Sequence, residues 1–293
     1  MGLEKKLAQL RILKTGPGTT IQDLGRSKSA EFGVPQSGAA DVISARWVNH
    51  ILQNSEESAL LEICQPGFKV AFEVNTRVAW AGAKVDVFLN GERLNPIQQL
   101  QASAHDLLEF GRFEKGAKLY LGVSGGFNSP EILGSKSYLQ GITNDSYLKI
   151  GDLIPYFLVD NPSPSRFSTV RWSFDWFETE CLEFYPGPDY DLLDKTAKEK
   201  LLTEEFTISA LSSRMGIILE EVLENQLPEL PTNPVFPGFV QLTSGGKLIL
   251  LGPDAQVTGG YPRIMILSEI AQSILAQKKP GQKIRFRKID ITT

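Results

Sequence analysis

PGFVQLTSGGKLILLGPDAQVTGGYP, Pro237 to Pro262, reads as strand, turn, strand and then a polar elbow. Val240–Gln241–Leu242 is short and flanked by apolar residues. Ser244-Gly245-Gly246-Lys247 is a turn signal, and Leu248–Leu251 is a continuous apolar run of strand length. The chain then changes character. Asp254, Gln256 and Thr258 alternate with Ala255 and Val257, and Gly259-Gly260 follows. On a strand, that alternation sets Asp254, Gln256 and Thr258 on one face. Two readings stand at this point. The face is the solvated side of a hairpin. Or a carboxylate, an amide and a hydroxyl stand in a row beside a Gly-Gly turn whose backbone N–H groups come close to a ligand. Tyr261-Pro262 closes the turn.

Two stretches near the N-terminus have the same glycine-rich, polar character. TGPGTTIQDLGR, Thr15 to Arg26, brings Gln22, Asp23 and Arg26 within five residues, directly after a turn. An Asp23–Arg26 surface ion pair would explain two of them and contribute little. Phe32 to Asp41, FGVPQSGAAD, packs two glycines and a proline into a shaped loop that includes Ser37 and Gly38. The following segment has apolar residues at Val42, Ile43, Trp47, Val48, Ile51 and Leu52, which is helical spacing. Asp41 is its candidate N-cap and Asn54 its candidate C-terminal stop. The loop therefore opens onto a helix N-terminus, an end that attracts anions.

Residues 59–160 read as a series of strands with turn signals every 8 to 12 residues, the pattern of a barrel or sandwich. Asn90-Gly91 is a two-residue hairpin signal. Gly134-Ser135-Lys136-Ser137 lacks the residue order and the strand–loop–helix setting of a P-loop. Asn161-Pro162-Ser163-Pro164-Ser165 has the composition of a linker, so the chain divides into domains 1–160 and 161–293. In the second domain Asp189, in PGPDY, is placed to cap a helix over 191–203. Ser212-Ser213-Arg214-Met215-Gly216 sets an arginine before a turn, and Ser268–Gln277 reads as a short helix.

The composition excludes several classes. A net charge of −4 argues against general nucleic-acid or anionic-membrane binding. No run of 18 apolar residues is present, so no membrane span is expected. MGLEKKLAQL has no apolar core of a secretory signal. Cys64 and Cys181 read as reduced core residues of a cytoplasmic protein, and two histidines make a His-rich metal site improbable. No metal is expected. His50 reads as structural or superficial.

Five segments together resemble one family, in its order. They are PGxTxQDxGR, GVPxSGAxD, SGGFxxPxxLGSKS, SSRMG and DxQxTGGYP. The family is the carboxyltransferase type that includes allophanate hydrolase subunit 2, KipA, and the C subunit of the bacterial ATP-dependent 5-oxoprolinase. The resemblance runs from about residue 12 to 287. Ala40, Lys136, Tyr138 and Ser213 depart from its usual residues. The fold it implies is mainly β, two cyclophilin-like β-barrel domains with a few short helices. The function it implies is one component of a cytoplasmic ATP-dependent 5-oxoprolinase, opening the lactam of 5-oxoproline to glutamate. Its partners would be a sister B subunit, resembling KipI or allophanate hydrolase subunit 1, and an A subunit.

Two alternatives follow from the same resemblance. One is a biotin-dependent carboxyltransferase component that acts on urea or a similar amide. The other is a KipA-like regulator that binds a KipI-like protein. The methionines are followed by Gly2, Gly216 and Ile266, so this chain has no Met-Lys-Met biotin attachment site. ATP would be bound in a pocket without a Walker sequence, shared with a partner.

The expected catalytic residues are Asp254, Arg26 and Arg214. The expected substrate-binding residues are Gln22, Asp23, Ser37, Gly38, Asp41, Gln241, Gln256, Thr258, Gly259, Gly260 and Tyr261. Asp254 is read as a base or a water-orienting group, the arginines as holders of carboxylate or phosphate oxygens, and the glutamines as amide binders. The loops 22–26, 34–41 and 254–261 are expected to converge on one pocket.

Overall fold

The computed structural model describes residues 6–95, 98–144, 147–159, 173, 175–228 and 230–290. Among the described residues the chain is mainly β, with barrel-like sheets and three short α-helices. It divides into two compact units, residues 1–24 with 42–175, and residues 25–41 with 176–293. The linker composition at 161–165 lies outside the described residues.

The first unit holds a nine-stranded sheet. Its spine is the antiparallel pair Thr76–Leu89 and Leu107–Val123. Sequence patterning finds only fragments of these strands, because their register shifts repeatedly between Gly82 and Val87. Bulges of this kind bend a strand and raise its twist, so one long pair turns a corner of the sheet. The Asn90-Gly91 signal is borne out. Asn90 (φ 54°) and Gly91 (φ 88°) both take the left-handed region, and Leu89 pairs with Glu92 across the turn. The core gathers Leu10, Ile12, Phe68, Phe72, Trp80, Phe110, Phe127 and Tyr156. Trp80 meets Phe110 edge-on, with ring centroids 5.6 Å apart.

Helix α1, Val42–Leu52, buries Ala45, Val48 and Leu52. It ends two residues before Asn54. Gln53 takes the left-handed terminus (φ 56°), and Asn54 instead donates Nδ2 to the Val123 carbonyl (2.9 Å) and accepts from the Gly125 N–H (2.9 Å). His50 is exposed on α1 and stacks on Trp47. Gly122 makes room for the helix. A Cβ there would lie 2.7 Å from Leu60 Cδ2 and Val48 Cγ1, and 2.8 Å from Leu52 Cδ1. Gly122→Ala is therefore expected to destabilise the protein by about 1–3 kcal/mol through overpacking, seen as a lower urea midpoint at unchanged slope.

The second unit holds a seven-stranded sheet in the order Phe206–Thr207, Lys283–Lys288, Cys181–Pro186, Arg263–Leu267, Phe239–Leu242, Lys247–Leu251 and Gly216–Val222. All neighbours are antiparallel except Cys181–Pro186 with Lys283–Lys288. A separate two-residue ladder pairs Asn233–Pro234 with Thr258–Gly259. Helix α2, Lys195–Thr203, is shorter than the sequence suggests. Its N-cap is Asp194, not Asp189: Asp194 Oδ1 accepts from the Ala197 N–H (2.7 Å). Asp189 opens a 3-10 turn without capping it, and its carboxylate turns to Arg263. Helix α3, Glu269–Ala276, is capped by Ser268, whose Oγ accepts from the Ala271 N–H (3.1 Å). Cys64 and Cys181 form no disulfide with each other and are half-buried, rather than core residues. No helix among the described residues is long and apolar enough to cross a membrane.

Candidate functional site

In the second unit residues 252–257, after Leu251, are not a strand. The Ala255 N–H donates to the Gly252 carbonyl (3.1 Å), which makes a turn. Asp254, Gln256 and Thr258 therefore do not form the single polar row that alternation predicts. Each has its own setting. Asp254 is gripped by Arg214, with Nε on Oδ2 at 2.7 Å and Nη2 on Oδ1 at 3.0 Å. Both side chains are 16% exposed. The Asp254 N–H also donates to the Arg214 carbonyl (3.1 Å). This planar, two-pronged contact is the strongest form of a carboxylate–guanidinium pair.

The same guanidinium reaches the loop before α1. Arg214 Nη2 donates to the Gly38 carbonyl (2.7 Å), and the Ser37 N–H donates to the Pro253 carbonyl (2.7 Å). Ser37 (φ 58°) and Gly38 (φ 96°) are both left-handed. A serine held there costs about 1 kcal/mol or more, so this backbone is held in shape by its surroundings. Gly25 completes the packing. Its φ is 91°, and a Cβ would lie 2.6 Å from the Ser37 carbonyl oxygen and 2.8 Å from that of Gln36. The Arg26 N–H donates to the Gln36 carbonyl (2.7 Å). The Arg26 side chain is 2% exposed, so it is not part of a surface ion pair. Asp41 is fully buried, and its Oδ2 accepts from Gln277 Nε2 (2.7 Å) just after α3.

The amide group of the site is Gln241, 1% exposed. Its Oε1 accepts from Gln256 Nε2 (3.3 Å), and its Nε2 donates to the Tyr261 carbonyl (3.4 Å). Gly259 lies directly on it, since a Cβ would come 2.6 Å from Gln241 Nε2. Gly259 pairs with Asn233, and the Gly260 carbonyl accepts from the Leu230 N–H (2.9 Å). Gln256, Thr258 and Tyr261 are exposed.

Gln22 and Asp23 belong to the first unit. The Asp23 carboxylate organises the loop Leu133–Ser137. Its Oδ1 accepts from Ser135 Oγ and Ser137 Oγ (2.6 Å each), and its Oδ2 from the Lys136 N–H (2.6 Å). Gln22 is buried, with Nε2 near Thr20 Oγ1 (3.0 Å) and the Tyr138 carbonyl (3.4 Å). Of the three loops expected to converge, residues 34–41 and the 253–254 elbow are joined, and Arg26 is tied to the first of them. Two residues that the sequence reading does not place in the site stand beside it. Arg263 is the ladder partner of Gln241, and Asp189 accepts from it. The available signal is the PGPD turn, which reads equally well as a helix cap.

A mainly β chain with glycine-rich polar loops and a guanidinium–carboxylate clamp is the setting in which the relatives become informative. The chain belongs to the family described as carboxyltransferase domain, subdomain A and B, whose model matches residues 32–288. It is 30% identical over 286 residues to the 5-oxoprolinase C subunit of Escherichia coli (strain K12), covering 94% of this chain and 90% of that protein. It is 28% identical to the protein of the same name from Haemophilus influenzae, covering 96% of this chain and 91% of that one. Urea amidolyase of Saccharomyces cerevisiae is 31% identical over 94% of this chain, which spans 16% of that protein. Among solved structures, TTHA0988 superposes with a TM-score of 0.84 at 26% identity, over 98% of this chain and 57% of that one. The Kluyveromyces lactis urea amidolyase shares the fold, with a TM-score of 0.82 at 23% identity over 98% of this chain and 19% of that one.

Proposed function

We propose that this chain is the C subunit of a 5-oxoprolinase, a component of an ATP-dependent lactam hydrolase that works with sister subunits. The observation that carries this reading is end-to-end similarity to two proteins of that name, each covered over nine-tenths of its length. In the second unit, the Arg214–Asp254 clamp and the Gln241–Gln256 amides share the turn after Leu251, which carries Asp254 and Gln256. Such groups suit a small polar amide. Each Asp254 oxygen keeps a second lone pair beyond the one Arg214 occupies. The carboxylate can therefore hold and orient a water molecule for attack on the lactam carbonyl. Arg214 holds both of its oxygens in place, so orientation is the role we assign to Asp254. Arg214 positions Asp254 and the Gly38 loop.

The Leu133–Ser137 loop does not fit ATP phosphates. Its two serine hydroxyls and the Lys136 N–H already serve the Asp23 carboxylate, which would repel a phosphate. We assign ATP binding to a site outside this loop, shared with a sister protein of the complex.

The test is reconstitution with the sister subunits and ATP. Release of glutamate from 5-oxoproline is expected only when this chain is present. Full-rate hydrolysis in its absence would remove the assignment. The family and the urea amidolyase similarity favour a second reading, a carboxyltransferase with biotin supplied by another chain. Transfer of labelled CO₂ from free carboxybiotin to urea distinguishes it.

A further inference from the structure

We propose that Arg263 binds the carboxylate of the lactam substrate and so sets the preference for 5-oxoproline over a lactam without that group. This rests on the 5-oxoprolinase reading above. Arg263 is anchored through part of its donor set. Its Nε donates to Asp189 Oδ2 (3.1 Å), its Nη1 to the Pro234 carbonyl (3.3 Å), and its backbone N–H to the same Asp189 oxygen (2.8 Å). The guanidinium carbon stands 5.9 Å from the centre of the Phe239 ring. A guanidinium has five N–H donors in a rigid fork. Two are used here, and among the described residues Nη2 has no hydrogen-bond partner. The side chain is 16% exposed, enough for a fork edge to meet a small ligand while the rest is held.

The position agrees with the amide groups. Pro234, which receives Nη1, pairs with Thr258, and Arg263 itself pairs with Gln241. The carboxylate binder thus stands one strand away from the amide binder. A ring with a lactam and a carboxylate on adjacent atoms presents both groups on one short edge. The other arginines of these loops are less suitable. Arg26 is 2% exposed, and Arg214 already grips both oxygens of Asp254. Asp189 orients Arg263 through Nε and tempers its charge, which favours a ligand that is released after turnover.

The experiment uses the reconstituted complex with Arg263→Gln and Arg263→Lys. The KM for 5-oxoproline is measured, with 2-pyrrolidinone, the same lactam lacking the carboxylate, as a competing ligand. Loss of a charge-assisted contact predicts that Arg263→Gln raises KM roughly 10- to 100-fold with kcat changed much less. Inhibition by 2-pyrrolidinone should be unchanged. Arg263→Lys keeps the cation but loses the fork, and a KM increase of about 5-fold or more is expected. If Arg263→Gln does not assemble, Arg263→Lys decides alone. Unchanged KM, or equal weakening of both ligands, overturns the assignment and leaves the 5-oxoprolinase reading intact. Failure of the wild-type complex to open 5-oxoproline would instead remove the 5-oxoprolinase reading on which it rests.

Discussion

Replacing Arg214 by alanine is expected to lower the turnover of the assembled enzyme roughly 100-fold, because the groups it positions then lose their geometry. Three contacts disappear at once: both prongs on Asp254 and the one on the Gly38 carbonyl. The carboxylate left behind is largely buried. Breaking such a pair from one side destabilises by about 3 kcal/mol, since the remaining charge is uncompensated. Arg214→Lys should recover little, because an ammonium cannot span two carboxylate oxygens and a carbonyl in one plane. A double-mutant cycle with Asp254→Ala separates the pair from its surroundings. A coupling of about 1–3 kcal/mol is expected, measured by chemical denaturation. Arg214→Ala with full kcat would show that the clamp has no part in the reaction.

Asp23→Ala should act on stability at least as strongly, and on chemistry only indirectly. Its two oxygens receive two hydroxyls and a backbone N–H, all from Ser135, Lys136 and Ser137. Hydrogen bonds to a buried charge contribute about 1.5–3 kcal/mol each, with strong non-additivity inside one network. A total loss of about 3–5 kcal/mol is expected, with faster proteolysis in the loop Leu133–Ser137. Asp23→Asn retains an acceptor and should lose less. A substrate contact alone would leave the melting temperature untouched, so an unchanged melting temperature with a raised KM would reverse this assignment.

What is legible in the sequence follows physical rules. The Asn90-Gly91 hairpin needs only two residues, because only a few residue types accept consecutive left-handed backbones. The helices are visible from apolar spacing, although α2 starts later than that spacing suggests. Asp189 and Asp194 both precede helical residues, and only the contact with Arg263, far along the chain, decides between them. The long strand Leu107–Val123 is hard to see because Glu109, Arg112, Glu114 and Lys115 interrupt its apolar pattern and bulges break its alternation. The strands Gly216–Val222 and Arg263–Leu267 follow motif residues and are overshadowed by them. At the elbow, alternation suggests a strand. The backbone contacts of Ala255 and Asp254 make a turn instead. Polar residue types mark the loops, but partners such as Gly38 and Arg214 lie 176 positions apart in the chain, a relation that spacing does not carry.

The assignment of residues 25–41 to the second unit bears on the order in which the protein is made. This segment leaves the ribosome early, yet its partners Arg214 and Pro253 emerge near the end. At synthesis rates of about 5–20 residues per second, the glycine-rich loop waits roughly 10–40 s before the groups that hold it exist. During that interval the first unit gains all of its strands, and the loop stays on it as an unfinished tether. Cutting the gene between the two units would thus not yield two self-sufficient halves. The C-terminal piece would lack residues 25–41, and with them the carbonyl of Gly38 and the N–H of Ser37. A chain permuted to begin at residue 176 and re-enter through a joined terminus would reverse that wait, offering Arg214 and Pro253 before the loop arrives.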